Sequence, residues 1–177
     1  MIPRGRSPWF LLTLLAAVLL LPVSACAQQG SAESALREGR YEEAIRIWGD
    51  RLASDPADVA VRRSLATALI DVGRYGEAAR TAGSLHLLRG QALRAIGRIE
   101  EAEAAFREAV DAGGPDRWPA ELQIAQLAYE RGDVDHAITR FDRFIDLYNG
   151  ATGLSPAELT AVGEAVWYLG IEEPQLF

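Results

Sequence analysis

The sequence predicts an all-α chain built from antiparallel helix pairs, and three observations predict it. A glycine-led phrase recurs as "GRYEEAI" from Gly39, "GRYGEAA" from Gly73, "GRIEEAE" from Gly97 and "GDVDHAI" from Gly132. The glycines Gly39, Gly73, Gly97, Gly132 and Gly170 are 34, 24, 35 and 38 residues apart, a spacing that suits a helix–turn–helix unit. Ala44, Ala78, Ala102 and Ala137 each stand five residues after their glycine, so a small residue returns at one register.

Each part of the phrase has a physical role at the corner between two helices. The glycine ends the first helix, because a left-handed closing residue carries no steric penalty without a Cβ. Tyr41, Tyr75, Ile99 and Val134 follow two residues later and can plug the corner. Acids then gather where the second helix begins, as Glu42 and Glu43 or Glu100 and Glu101, favourable against the positive end of the helix dipole. The alanine lets the paired helices approach closely.

The joint recurrence of these elements over most of residues 31–170 resembles the tetratricopeptide repeat. That family's Ala-x3-aromatic element is matched by Ala44 with Trp48, Ala102 with Phe106 and Ala137 with Phe141, and its closing proline by Pro56, with Pro115 one place late. The large-small-x2-large pattern of its first helix is carried by Leu65-Ala66 with Leu69, Ile124-Ala125 with Ala128, and Val162-Gly163 with Val166. The resemblance implies a right-handed superhelical solenoid of about four and a half repeats. Its units lie near 29–56, 59–82, 83–115 and 117–149, with an incomplete one at 155–177.

Three departures from the family pattern stand out. Ala82 occupies an aromatic position, and only 24 residues separate Gly73 from Gly97, so the second helix of that unit should be stunted and end near Gly83. Arg89 precedes Gly90 where a large apolar residue is usual, which predicts looser packing or a bend over residues 80–90. At the end, Ser155-Pro156-Ala157-Glu158 reads as a capping box with proline in the first helical position, opening a helix to about Leu169. The remainder leaves Trp167, Leu169, Leu176 and Phe177 as an apolar end. Either this half-repeat tucks back as a cap or the chain is part of a longer repeat protein.

Residues 1–25 read as a signal peptide and 26–177 as the repeat domain. Arg4 and Arg6 precede an apolar run from Trp9 to Leu21, then Pro22 and "VSAC", the order of an export signal. The run has 13 residues, too short for a span that needs roughly 20. "VSAC" resembles the bacterial lipobox, which implies diacylglyceryl transfer to Cys26 and cleavage before it. The other reading is an ordinary peptidase site at Ala25-Cys26-Ala27 that removes the only cysteine. Two or three acyl chains anchor a protein stably without spanning the bilayer. With Ala27 rather than aspartate after the cysteine, the resemblance implies the periplasmic face of the outer membrane where the source has one.

Charge and composition exclude several function classes. The 177 residues are 49% hydrophobic and 24% charged, in keeping with one folded domain. All 18 basic residues are arginine, so lysine chemistry is excluded, and the usage suggests a GC-rich bacterial genome. The formal charge is −7. Without residues 1–25, which hold two arginines and no acid, it is −9. An acidic body argues against nucleic acid as a partner.

Neither catalytic nor metal-binding residues are assigned. His86 and His136 fall in different units, away from metal-ligand spacing. Asp133, Asp135 and His136 read as turn residues at a helix start, because the pattern of a calcium loop is missing. Asp142 and Asp146 share a helix face but sit among Arg143, Phe141, Phe144 and Ile145, an amphipathic pattern. No cofactor-binding motif occurs.

What remains is a surface. In the family resembled, first helices line a concave groove for a peptide or a partner's helix. Projecting that face by helical spacing gives Arg63 and Thr67, Gln91 and Arg94, Gln126 and Tyr129, then Glu164 and Trp167. Tyr129 and Trp167 could equally pack between units. The family's carboxylate clamp uses lysines and asparagines; with no lysine and only Asn149, this chain points to an internal peptide segment or a folded protein partner. The expected function is a lipid-anchored, non-catalytic scaffold of the bacterial envelope. The rivals are the N-terminal repeat module of a larger secreted enzyme or sensor, and a soluble exported factor.

Overall fold

The computed structural model describes residues 32–172. They fall into two compact units, Met1–Ala68 and Leu69–Phe177, with the boundary inside a helix. The expectations for residues 1–25, for Cys26 and for Leu176 and Phe177 lie outside the described residues.

The first unit holds a helix α1, described over residues 32–37, helix α2 (Tyr41–Ser54) and the start of α3 (Val59–Asp71). Ala32, Ala35, Ala44, Ile45 and Trp48 are buried, so the Ala-x3-aromatic element faces inward as its spacing implies. The corner after α2 is built by acids around Pro56. The Asp55 carboxylate accepts from the Ala57 N–H at 3.1 Å, and the Asp58 carboxylate accepts from the Val61 N–H at 2.9 Å, capping α3. Arg51 pairs with Asp58 at 3.1 Å and ties the end of α2 to the start of α3.

In the second unit α3 ends, and α4 (Tyr75–Ala82), α5 (His86–Ala95), α6 (Ile99–Ala112), a 3-10 turn at Gly114–Asp116, α7 (Arg117–Glu130), α8 (Val134–Gly150) and α9 (Pro156–Glu172) follow. From α4 onward each helix packs on the next, and α7 also packs on α9. The corners have the form the phrase predicts. Gly73, Gly97 and Gly132 have φ of 77°, 80° and 81°, and Gly39 in the first unit has 76°. At Gly132 the glycine N–H donates to Tyr129 O at 2.9 Å and the Asp133 N–H to Ala128 O at 3.0 Å. These are the two closing bonds of a Schellman motif, and Gly39, Gly73 and Gly97 repeat them.

The alanines Ala44, Ala78, Ala102 and Ala137 are all 0% exposed, as a close-contact register requires. Between phrase and helix lies a pairing not foreseen from the sequence. Arg40 engages Glu43, Arg74 forks onto Glu77 at 2.8 and 2.7 Å, and Arg98 forks onto Glu101. The fourth phrase reverses the charges, with the His136 ring nitrogen 2.7 Å from Asp133. The Arg74 fork holds the Glu77 carboxyl below its ordinary pKa. These exposed pairs contribute tenths of a kcal/mol, roughly.

The departures sort themselves as follows. Helix α4 stops at Ala82, with Gly83 at φ 54°, so the missing residues shorten the second helix as predicted. Arg89 avoids the core by reaching Glu108 and the Gly83 carbonyl, while Gly90 beside it is buried. A Cβ on Gly90 would stand 2.4 Å from the Phe106 ring, so at this point the two helices touch closely. Ser155 and Glu158 form the capping box: the Ser155 N–H donates to Glu158 at 2.8 Å, and the Glu158 N–H to Ser155 Oγ at 3.3 Å. One expectation is corrected. Gly170 is not a corner; α9 runs through it to Glu172, because the residues that follow the other glycines, an arginine or aspartate and then an acid-led helix start, do not follow this one. Tyr41 also plugs its corner only in part, being 40% exposed.

Two apolar clusters hold the second unit. One gathers Leu93, Ala102, Phe106, Ala120, Ile124 and Leu127 between α5, α6 and α7. The other gathers Leu122, Phe141, Phe144, Val162 and Leu169 between α7, α8 and α9, with Tyr168 stacked on Phe141 at 4.8 Å and Trp118 edge-on to Phe144 at 5.2 Å. Glu121 is 3% exposed within α7. Its Oε1 accepts from Arg140 at 2.7 Å and from Arg143 at 2.5 Å, both on α8, so the buried carboxylate is neutralised twice.

These contacts predict two stability effects. Gly90→Ala should lower stability by about 2 kcal/mol in denaturant titration, since overpacking against a fixed ring outweighs the helix propensity gained. Arg140→Ala or Arg143→Ala alone should cost about 1 kcal/mol or less, because the other arginine still serves Glu121. The double variant should cost about 3 kcal/mol, since an unpaired buried carboxylate remains. A double-mutant cycle reads that non-additivity directly.

Candidate functional site

The candidate site is the face that the first helices α5, α7 and α9 present within the second unit. Its residues come from three helices and meet through hydrogen bonds. Arg94 Nη1 donates to Gln123 Oε1 at 2.7 Å and to Gln126 Oε1 at 3.2 Å, while Nη2 pairs with Glu130. Gln123 Nε2 also donates to Gln126 Oε1 at 3.1 Å, and Gln126 Nε2 donates to Glu164 Oε2 at 2.9 Å. The Gln126 amide therefore stands between a guanidinium and a carboxylate, oxygen toward the cation and nitrogen toward the anion. At 7% exposure it acts as a bridge, and each of its polar atoms has the partner that burial demands.

Beside this row lies a recess of about 390 Å3, lined among others by Leu87, Gln91, Gln123, Leu122, Thr160 and Glu164. It combines apolar walls with convergent amide, hydroxyl and carboxylate groups, the make-up of a binding cleft. Pro115 and Pro119 form part of its rim, where their fixed backbone angles keep the wall rigid.

Further along the same face, Tyr129 and Trp167 separate in role. Tyr129 is half-buried, edge-on to Tyr168 at 5.1 Å, and its hydroxyl donates to Glu172 at 2.5 Å. That bond raises the Tyr129 pKa above its ordinary value, since ionisation would place a phenolate against a carboxylate. Trp167 is 62% exposed, with one edge against Tyr168 at 5.0 Å. Of the two readings open in the sequence, packing holds for Tyr129 and exposure for Trp167.

The structure thus brings Arg94, Gln126 and Glu164 into one connected row, sets Gln91 in the adjoining recess and leaves Trp167 open to solvent. Arg63 and Thr67 are exposed on α3 in the first unit. Sequence reasoning missed Gln123, Glu130, Tyr168 and Glu172. Gln123 stands one turn before Leu127 and three residues before Gln126, a spacing that could have found it; the α9 residues had no such local signal. The histidines stay apart in role as in sequence. His86 Nδ1 is 2.7 Å from Glu108 Oε2 at an angle unlike that of a hydrogen bond, and exposed His136 sits on Asp133. Among the described residues there is no cluster of three metal-ligating side chains and no helix long and apolar enough to cross a membrane.

Comparison with known proteins agrees with this architecture. A model of the tetratricopeptide repeat matches residues 11–59, 30–87 and 87–157. No curated protein matches the chain. Among solved structures, MamA residues 41-end from Desulfovibrio magneticus RS-1 is similar, with TM-score 0.61 at 15% identity over 71% of this chain and 76% of that one. A further MamA structure has TM-score 0.61 at 20% identity over 85% and 93%. A tetratricopeptide repeat protein from Parabacteroides merdae ATCC 43184 has TM-score 0.60 at 16% identity over 84% and 66%. At these identities the likeness is one of fold. With paired helices, left-handed glycine corners and family matches spanning most of its length, the chain belongs to the tetratricopeptide repeat family, whose members are protein-interaction scaffolds.

Proposed function

We propose that this protein is a non-catalytic scaffold of the bacterial envelope, anchored to the membrane through lipid on Cys26, which binds a peptide segment or partner protein on the α5–α7–α9 face. The observation that carries the binding reading is the Arg94–Gln126–Glu164 row beside a recess of about 390 Å3. A pre-ordered polar row costs little to organise when a partner arrives, and exposed Trp167 next to it supplies an aromatic anchor of the kind that dominates interfaces. Arg63 and Thr67, exposed on α3 in the first unit, remain candidate contacts considered by themselves.

The anchor rests on the order of Arg4, Arg6, the apolar run and "VSAC". Cleavage before Cys26 leaves an acidic chain, for which the acyl chains and not charge supply attraction to an anionic bilayer. With Ala27 in second place, the outer membrane is the destination in a two-membrane cell.

Two measurements test this in the native host. Radiolabelled palmitate should enter the wild-type protein and be lost in Cys26→Ala, which should appear in the soluble fraction; absence of label from the wild type would contradict the anchor. A photo-crosslinking amino acid at Gln91 should capture one partner reproducibly, with at least fivefold less capture in Glu164→Arg and in Trp167→Ala at unchanged helical content. Equal capture by both variants would contradict the face.

A further inference from the structure

The shortened unit creates a second recess on the opposite flank of α5. Second helices α6 and α8 run 14 and 17 residues, whereas α4 has only eight. Between α4 and α6, with α5 as floor, a recess of about 600 Å3 opens. The corresponding space between α6 and α8 is divided into two smaller hollows of about 260 and 290 Å3. The difference follows from α4: it is short, and it turns Gly76 and Ala79 toward the opening, where the sibling helices carry long side chains.

Arg89 and Leu93 of α5 line the recess together with Ile96, the residue that caps its end, at spacing i, i+4, i+7. Gln91 and Arg94, which serve the first face, lie nearly half a turn away at about 100° per residue. The two recesses are therefore separate surfaces of one helix.

The charge of this recess runs against that of the molecule. The chain has net charge −7, yet three arginines, Arg80, Arg89 and Arg98, line the recess against one acid, Glu101. Arg98 is matched to Glu101, and Arg89 is held by Glu108 and the Gly83 carbonyl. Arg80 has neither hydrogen bond nor ion pair among the described residues; its guanidinium lies over Gly76, 3.9 Å from where a Cβ would be, and feels Glu77 only through longer-range attraction. One uncommitted guanidinium thus stands over an apolar floor of Leu93 and Ile96, the latter 42% exposed.

We propose that this recess is a second docking site, taking an acidic peptide segment of a partner protein whose carboxylate meets Arg80 while an adjacent aliphatic side chain covers Leu93 and Ile96. Arginine is suited to this because its planar fork binds a carboxylate through two parallel hydrogen bonds, and the volume falls in the range of roughly 300–1,000 Å3 usual for ligand clefts. Occupants of the other kind, basic segments, meet three guanidiniums. The site does not depend on the first face or on the membrane anchor.

The test uses the full chain in detergent and a fluorescein-labelled peptide alternating Asp or Glu with Leu, read by anisotropy. Saturable binding is expected, weakening as salt is raised, with Kd at least tenfold higher for Arg80→Glu and for Ile96→Glu and unchanged for Glu164→Arg. Both recess substitutions are at exposed positions, and circular dichroism confirms that each variant is folded. A peptide with Lys in place of each acid should fail to bind. The proposal is overturned if binding is not saturable, if the Lys peptide binds as well, if both recess variants bind like wild type, or if Glu164→Arg alone abolishes binding.

Discussion

A helix can be followed at once by an antiparallel partner only if the backbone reverses within two or three residues, and at the four phrase corners that reversal passes through a glycine of left-handed conformation. For an L-amino acid with a Cβ that conformation costs roughly 1–2 kcal/mol, and four glycines with φ between 76° and 81° avoid it. The rest follows from the corner. Once the turn is closed by the Schellman pair of bonds, the alanine five residues on reaches the paired helix with no exposed surface. In the third unit the helices come close enough for Phe106 to lie against the backbone of Gly90.

Since the recurring phrase is consumed by turn and contact, whatever distinguishes this protein from others of its architecture must lie between phrases. Two places show it. On one flank of α5, polar side chains from three successive first helices are tied into a row through Gln126, which suits recognition by a polar, partly apolar segment. On the other flank the loss of residues between Gly73 and Gly97 removes cover, and arginines collect where the chain as a whole is acidic. The interruption in the repeat is thus a local change of surface as well as of rhythm.

The corners, the buried alanines, the stunted α4 and the capping box at Ser155 were legible because each depends on residues within about one helical turn of one another. Glu121 with Arg140 and Arg143 was not, since those partners are 19 and 22 residues apart and only the packing of α8 on α7 brings them together. The aromatic group around Tyr168 is of the same kind. Among the projected face residues, helical spacing set Arg94, Gln126 and Glu164 on one side of their helices, but it does not reveal that they bond to one another. Nor does it separate packed Tyr129 from exposed Trp167. Gly170 shows the converse limit: a glycine at the right period is not a corner when α9 continues through it.

The most direct test of the central constraint is the stability of Gly97 variants, because a Cβ there meets nothing within 4 Å and φ is 80°, so only backbone conformation is at stake. Denaturant titration of wild type, Gly97→Ala and Gly97→Asn should show a loss of about 1–2 kcal/mol for alanine and a smaller loss for asparagine, which tolerates the left-handed region. Alanine as stable as wild type, or asparagine no better than alanine, would contradict the account.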